Sequence, residues 1–337
     1  MSNPNFPSSA ANDITTDNAL LMEKNRLRND AAYVGGLSIT LTLVMQYAYS
    51  FFVKILMSFG VLNGESLTKD FLGMDNTVFL LFYSFVYIFS LLVPAVVVSF
   101  LFNKRFVPFS PAKSVSFGFA FWSVIGAVGM CMFTNILNSI LQSLFYQMGA
   151  DIPDMPQLMV HTPTSLIINL FTIAVLPALL EEMIYRGYIL RTLRSYGDGF
   201  AVLISAMLFS LMHGNLRQIP FAFIVGLFLG FLYVQTNNIW IPIVVHFINN
   251  GISVVMEYLS FSLSDAGVNY LYAIATYGLI VLGLIATLVL LLAYRTKLHL
   301  PAHQSSMGFW RRMGVIFSSP LFLTSVAMYL IFLYMGM

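Results

Sequence analysis

Glu181 and Glu182 stand side by side in the apolar stretch LPALLEEMIYRGYIL, residues 176–190, and Arg186 follows Glu182 by four positions. Two more pairs downstream repeat that spacing: Phe209 with His213, and His246 with Asn250. Carboxylates and imidazoles can activate a water and move its proton, and an amide beside an imidazole can donate to a developing oxyanion. Residues four apart share one face of a helix, and an acid preceding its base is the favourable order for an ion pair. Neighbouring residues point about 100° apart. Arg186 can therefore hold Glu182 while Glu181 faces a cavity. The ring of Phe209 can cover the imidazole of His213, and the polar ends of His246 and Asn250 can converge on one atom.

The elements that must carry these residues are membrane helices. The chain of 337 residues is 58% apolar and 9% charged, against about 25% charged in an average soluble domain. Long apolar runs recur, as membrane-spanning helices require, at 33–59, 78–102, 115–147, 164–192, 199–213, 218–235, 239–258, 270–294 and 314–335. The expected fold is all-α, a polytopic membrane bundle of eight to nine transmembrane helices. The alternating segments of a membrane β-barrel are absent. A net charge of +2 without a basic amphipathic pattern gives no reason to expect a nucleic-acid partner. The single cysteine, Cys131, permits no intramolecular disulfide. Residues 1–30 are polar and lack the apolar core of a signal peptide, so they are expected to form a flexible cytosolic tail. Three helices follow over 31–148, a catalytic core of four over 160–258, and one or two more over 269–337.

Lys and Arg cluster in alternate connections: Lys24, Arg26 and Arg28; Lys104, Arg105 and Lys113; Arg191 and Arg194; Arg295, Lys297, Arg311 and Arg312. The positive-inside rule assigns those sides, and with them the N-terminus, to the cytosol of a multi-pass protein of the cell membrane. The 60–77, 148–163 and 259–269 loops are acidic or poor in bases, and Arg217 is the basic exception on that side. A turn near Gly197 puts Glu181 and His213 each 16 residues away, about 24 Å along straight helices. The four motif side chains are thus expected at similar depth, in a pocket open to the cytosol. Charged groups at the bilayer centre cost at least about 2.5–3.5 kcal/mol each, which makes Glu181, Glu182, Arg186, His213 and His246 functional candidates. Lys54 and Glu257 lie near span ends and read as snorkelling residues, and His161, His299 and His303 as solvated loop residues.

Glu181-Glu182-x-x-x-Arg186, Phe209-x-x-x-His213 and His246-x-x-x-Asn250, in this order on separate spans, resemble the motifs of the type II CAAX prenyl endopeptidases. Their prokaryotic relatives are the CAAX proteases and bacteriocin-processing enzymes (the CPBP or Abi family). The resemblance covers about residues 164–258. It implies an intramembrane glutamic endopeptidase acting on a peptide or membrane-protein substrate in the lipid bilayer, with no cofactor and no metal. It further implies that Glu181 activates water with His213, that His246 and Asn250 form the oxyanion hole, and that Glu182, Arg186 and Phe209 support them. Three other readings remain open. A zinc protease can be built from two His and one Glu, although no HExxH is present and each ligand would come from a different span. A non-catalytic immunity or scaffold member of the family would carry the same helices. A transporter would also bury Glu and His, but no internal repeat supports one.

Overall fold

The computed structural model describes residues 8–105, 107, 109, 112–149, 158–298 and 305–335, and among them the regular structure is helical, with no strand. The helices are α1 (Ser8–Ser58), α2 (Asn76–Leu101), α3 (Phe117–Gln147), α4 (Pro163–Tyr196), α5 (Asp198–Met212), α6 (Ile219–Thr236), α7 (Trp240–Ser260), α8 (Asp265–Ala293), α9 (Phe309–Phe317) and α10 (Pro320–Met335). Seven helices, α1 to α4 and α6 to α8, are long and apolar enough to cross a membrane, and α9 with α10 forms an eighth such unit bent by 80°. The protein is a membrane-embedded, multi-pass helical bundle, with the boundaries of most spans where the apolar runs put them.

Local chemistry fixes the ends that matter. Asp75 caps α2 by accepting from the Thr77 N–H. Thr162 caps α4 by accepting from the Ser165 N–H, with Pro163 in the first turn, where a missing N–H costs nothing. Gly197, at φ +119°, makes the one-residue corner between α4 and α5, a conformation that a Cβ would oppose. α5 has only 15 residues, about 22 Å, short of the roughly 30 Å hydrocarbon core. It therefore delivers His213 to its own C-terminus below a membrane surface.

Two expectations change. The polar stretch expected as a flexible tail is helical from Ser8 onward. Its last turns are held by tertiary partners: Glu23 accepts from Ser305 and Ser306, and Asp30 accepts from Lys104 Nζ at 2.7 Å and from the Tyr196 hydroxyl at 2.7 Å. The last predicted span is bent by 80° between Phe317 and Pro320, where the proline offers no N–H to the preceding turn. His161 is an exposed loop residue, as expected. It stacks against the Phe261 ring and bonds to Ser262 Oγ at 3.0 Å, though its surface stays exposed. His299, His303, Asp151 and Asp154 lie outside the described residues.

Two apolar clusters fill the bundle. One joins α1, α2, α4, α5, α9 and α10 with parts of α6 and α7, and the other joins α3, the rest of α6 and α7 and, at its margin, α8. The α3–α8 contact depends on two glycines. A Cβ on Gly129 would lie 2.5 Å from Gly283 Cα and 2.7 Å from the Leu279 carbonyl oxygen, and small residues are what let membrane helices approach this closely. Gly129→Leu should therefore cost about 1–3 kcal/mol through overpacking. Gly278→Leu, in open space on the same α8, should leave stability unchanged. Thermal unfolding of the purified variants in detergent checks this, and equal melting temperatures would refute the tight crossing.

Candidate active site

α4 is the element around which the site is built. Its N-terminal half runs beside the N-terminal half of α2 through three polar rungs. Ser165 Oγ donates to Asn76 Oδ1 at 3.0 Å, the Ser84 and Thr172 hydroxyls pair at 2.8 Å, and the Tyr87 hydroxyl donates to Glu181 Oε1 at 2.5 Å. Two π-helical stretches, Leu170–Val175 and Met183–Leu190, flank the turns that carry Glu181 and Glu182. Such widened turns disturb the regular ladder and recur at functional sites. Carbonyls in both stretches accept from neighbouring helices: Asn250 Nδ2 donates to the Ile173 oxygen at 3.0 Å, and Ser205 Oγ donates to the Tyr185 oxygen at 2.7 Å.

The expected ion pair forms, and it is completely buried. Arg186 Nη1 donates to Glu182 Oε1 at 3.0 Å with both side chains at 0% exposure. Its Nη2 donates to the Gly226 carbonyl oxygen at 3.0 Å, and its guanidinium carbon lies 4.6 Å from the centre of the Phe209 ring. Phe209 also meets His213 and His246 edge to face, with ring centres 5.2 and 6.1 Å away. The Phe of the second motif thus packs one cation and two imidazoles into register.

His246 has partners that spacing alone did not reveal. Its Nδ1 lies 2.9 Å from Glu182 Oε1, and its Nε2 lies 3.9 Å from Glu181 Oε2. A carboxylate accepts, so the ring proton at Nδ1 points to Glu182. On His213, Nδ1 lies 2.9 Å from the Phe209 carbonyl oxygen. That nitrogen must likewise be the donor, which leaves Nε2 of His213 as the nitrogen free for other chemistry. Asn250 uses one amide hydrogen on Ile173 and accepts from Asn249 Nδ2 at 3.1 Å.

Glu181, His213, His246, Asn250 and Phe209 line one cavity of about 520 Å³, whose wall also includes Tyr83, Tyr87, Asn249 and Glu257. Glu182 and Arg186 stand behind the wall. All seven residues singled out by type and spacing therefore belong to one site. Tyr83, Tyr87 and Asn249 were not singled out. The sequence signal for the tyrosines is an i,i+4 pair on an otherwise apolar helix, which many membrane helices show. Among the described residues, no group of three His, Cys, Asp or Glu side chains gathers as a metal-binding set.

The lining of the cavity extends toward one end of the bundle. The wall continues to Leu158, Asn215, Gln218 and Glu257. These residues sit where α4 begins, α5 ends, α6 begins and α7 ends, which is the opposite end of the bundle from Lys104, Arg194 and Arg312. Measured from the Gly197 corner, the 24 Å estimate already places Glu181 and His213 past the middle of a roughly 30 Å core. The pocket therefore does not open toward the basic end.

Comparison with known proteins agrees with the three motifs. Residues 163–252 match the family model for type II CAAX prenyl endopeptidase Rce1-like proteins. The chain is 23% identical over 146 residues to the membrane-embedded CAAX protease MroQ of Staphylococcus aureus (strain USA300), covering 41% of this chain and 58% of that protein. It is 21% identical over 216 residues to a protein named membrane peptidase YdiL of Bacillus subtilis (strain 168), covering 64% of this chain and 85% of that one. No solved structure gives a significant match. Residues 163–252, which carry all three motifs, are thus similar to the CAAX proteases.

Arg186→Ala should leave the Glu182 carboxylate buried without its cation and cost about 3–5 kcal/mol. Replacing both partners, as Glu182→Gln with Arg186→Met, removes the stranded charge and should recover most of that loss. Yield and melting temperature of the two proteins measure it. If Arg186→Ala is as stable as the native chain, the pair does not organise the site.

Proposed function

We propose that this protein is a membrane-embedded endopeptidase in which Glu181 activates a water for attack on a peptide carbonyl. The observation that carries this reading is the convergence of Glu181, His213, His246 and Asn250, drawn from α4, the end of α5 and α7, on one cavity. The names of the two relatives, a CAAX protease and a membrane peptidase, point to the same reaction.

Glu181 takes the proton of the attacking water, with Nε2 of His213 as a second acceptor. Tyr87 fixes the Glu181 carboxylate by donating to Oε1, so that Oε2 is the oxygen that faces the reaction. The new C–O bond forms as the carbonyl π pair moves onto oxygen, and that oxyanion is met by His246 Nε2–H and the second Asn250 amide hydrogen. Collapse of the tetrahedral adduct breaks the C–N bond, and the leaving amine receives the proton held by Glu181. Glu182 holds the His246 ring in place by accepting from Nδ1, 2.9 Å away.

Glu181→Gln should retain yield and melting temperature while turnover falls by about 10²–10⁴-fold, the usual contribution of a general base. Peptides accumulating in the membrane fraction of cells with the native protein, and missing with Glu181→Gln, would identify substrates. Normal cleavage by Glu181→Gln would end the glutamate mechanism. Tyr87→Phe should lower kcat about tenfold with KM nearly unchanged, as loss of one hydrogen bond of about 1.5 kcal/mol to a charged group implies. Activity should survive exhaustive chelation, and a loss restored by stoichiometric zinc would instead support metal-assisted hydrolysis.

A further inference from the structure

The distribution of charge between the two ends of the bundle bears on which side of the membrane supplies the substrate. Of the 16 Lys and Arg residues, twelve fall at the end that holds Lys104, Arg194 and Arg312, three (Lys54, Lys69 and Arg217) fall at the other end, and Arg186 is interior. Contacts gather three of the twelve, Lys104, Arg194 and Arg312, at one end. Lys104 meets Asp30, Asp30 meets Tyr196, Arg194 bonds to Asn237 at 2.7 Å, and Arg312 donates to the Tyr196 carbonyl. The cavity reaches the opposite end, where the short loops carry Glu65, Asp70, Asp75 and Asp265 and the 158–162 loop packs on the end of α7. Basic residues in short loops mark the cytosolic side. The cavity therefore faces away from the cytosol.

The wall itself has a polarity. Besides the histidines, its ionisable groups of Asp, Glu, Lys and Arg type are Glu181 and Glu257, with no Lys or Arg among the lining residues. Glu257 is partly buried. On α7 it follows His246 by eleven residues, which is about 16 Å along the helix and within roughly 20° of the same face. An extended peptide covers that distance in about five residues.

We propose that the cavity takes polypeptide segments presented from the non-cytosolic side of the membrane, with Glu257 near its mouth pairing with a basic residue about five positions from the reacting bond. This rests on the endopeptidase reading for the phrase "reacting bond" but not for the side of entry. The substrate class is then translocated peptides or the outer segments of membrane proteins, and cytosolic tails have no access. The reading of Glu257 as a snorkelling residue gives way to a role in the wall.

Two measurements on the full chain test it, and neither needs turnover. In a Cys131→Ser background, Ser262→Cys at the cavity end and Lys113→Cys at the basic end are treated in intact cells with a membrane-impermeant maleimide. Ser262→Cys should label at once and Lys113→Cys only after permeabilisation. The reverse pattern, or equal labelling of both, overturns the side of entry. For Glu257, Glu181→Gln protein in nanodiscs is titrated with fluorescein-labelled decapeptides of Ala and Leu carrying one Lys or one Gln. The Lys peptide should bind roughly fivefold tighter, the scale of a partly exposed ion pair, and Glu257→Gln should abolish the difference. Equal binding before that substitution, or a preference that survives it, overturns the role of Glu257. A native protein that labels and binds as expected but cleaves nothing would refute the endopeptidase reading and leave this one standing.

Discussion

The buried contact of Arg186 with Glu182 is the constraint on which the site depends. A guanidinium at 0% exposure inside a membrane bundle is tolerable only if its charge and hydrogens are met by protein. Each partner comes from a different helix. Glu182 is on α4 itself, the Gly226 carbonyl is on α6, and the Phe209 ring is on α5. These three contacts, which leave only Nε without a hydrogen-bond partner, tie three helices to one side chain. Gly226 shows how closely. A Cβ there would lie 3.2 Å from Ala206 Cα and 3.2 Å from the Phe209 ring, so any larger residue would push α5 back by a few tenths of an ångström. Glu182 then extends the network to α7 through His246.

The backbone of α4 follows the same logic. Its two π-helical stretches leave carbonyls that look outward, and α5 and α7 answer them with Ser205 and Asn250. Asn250 therefore serves twice, tying α7 to the turn before Glu181 and presenting its remaining amide hydrogen to the cavity. A substitution there would disturb the position of Glu181 as well as remove a donor. Loss of activity on changing Asn250 would not by itself separate those two effects. The separation would come from whether Asp, which keeps the acceptor and loses the donor, behaves like Ala.

Much of this was legible from residue types and spacing, for a definable reason. Spacing within one helix reports which side chains share a face, so the Glu182–Arg186 pair, the cover of Phe209 over His213 and the apolar spans could all be read directly. Spacing does not report which face meets which neighbour. That is why the hydroxyl of Tyr87 on Glu181 and the turn of His246 toward Glu182 escaped notice, and why Asn250 was assigned only to substrate. The helical character of residues 8–30 was hidden because polar composition was taken for freedom, whereas Glu23 and Asp30 find partners hundreds of residues or tens of residues away along the chain. The kink at Pro320 is signalled by the proline itself, within an apolar run that otherwise reads as one span.

The shortness of α5 connects the fold to the chemistry. A helix that crossed the whole membrane would carry His213 to a surface or bury it in mid-helix. At 15 residues α5 stops first, and the chain turns through Gly214 at φ +64° into a loop braced by Asn215 and Gln218. Non-helical backbone at such depth is tolerated when it lines a polar cavity and its groups are bonded. Asn215 meets this condition by donating to the His213 carbonyl and accepting from the Gln218 N–H. Asn138 and Gln142 of α3 meet it from outside by donating to the Arg217 carbonyl. The early end of α5 thus lets Asn215 and Gln218, with Glu257 of α7, line the cavity that reaches Glu181.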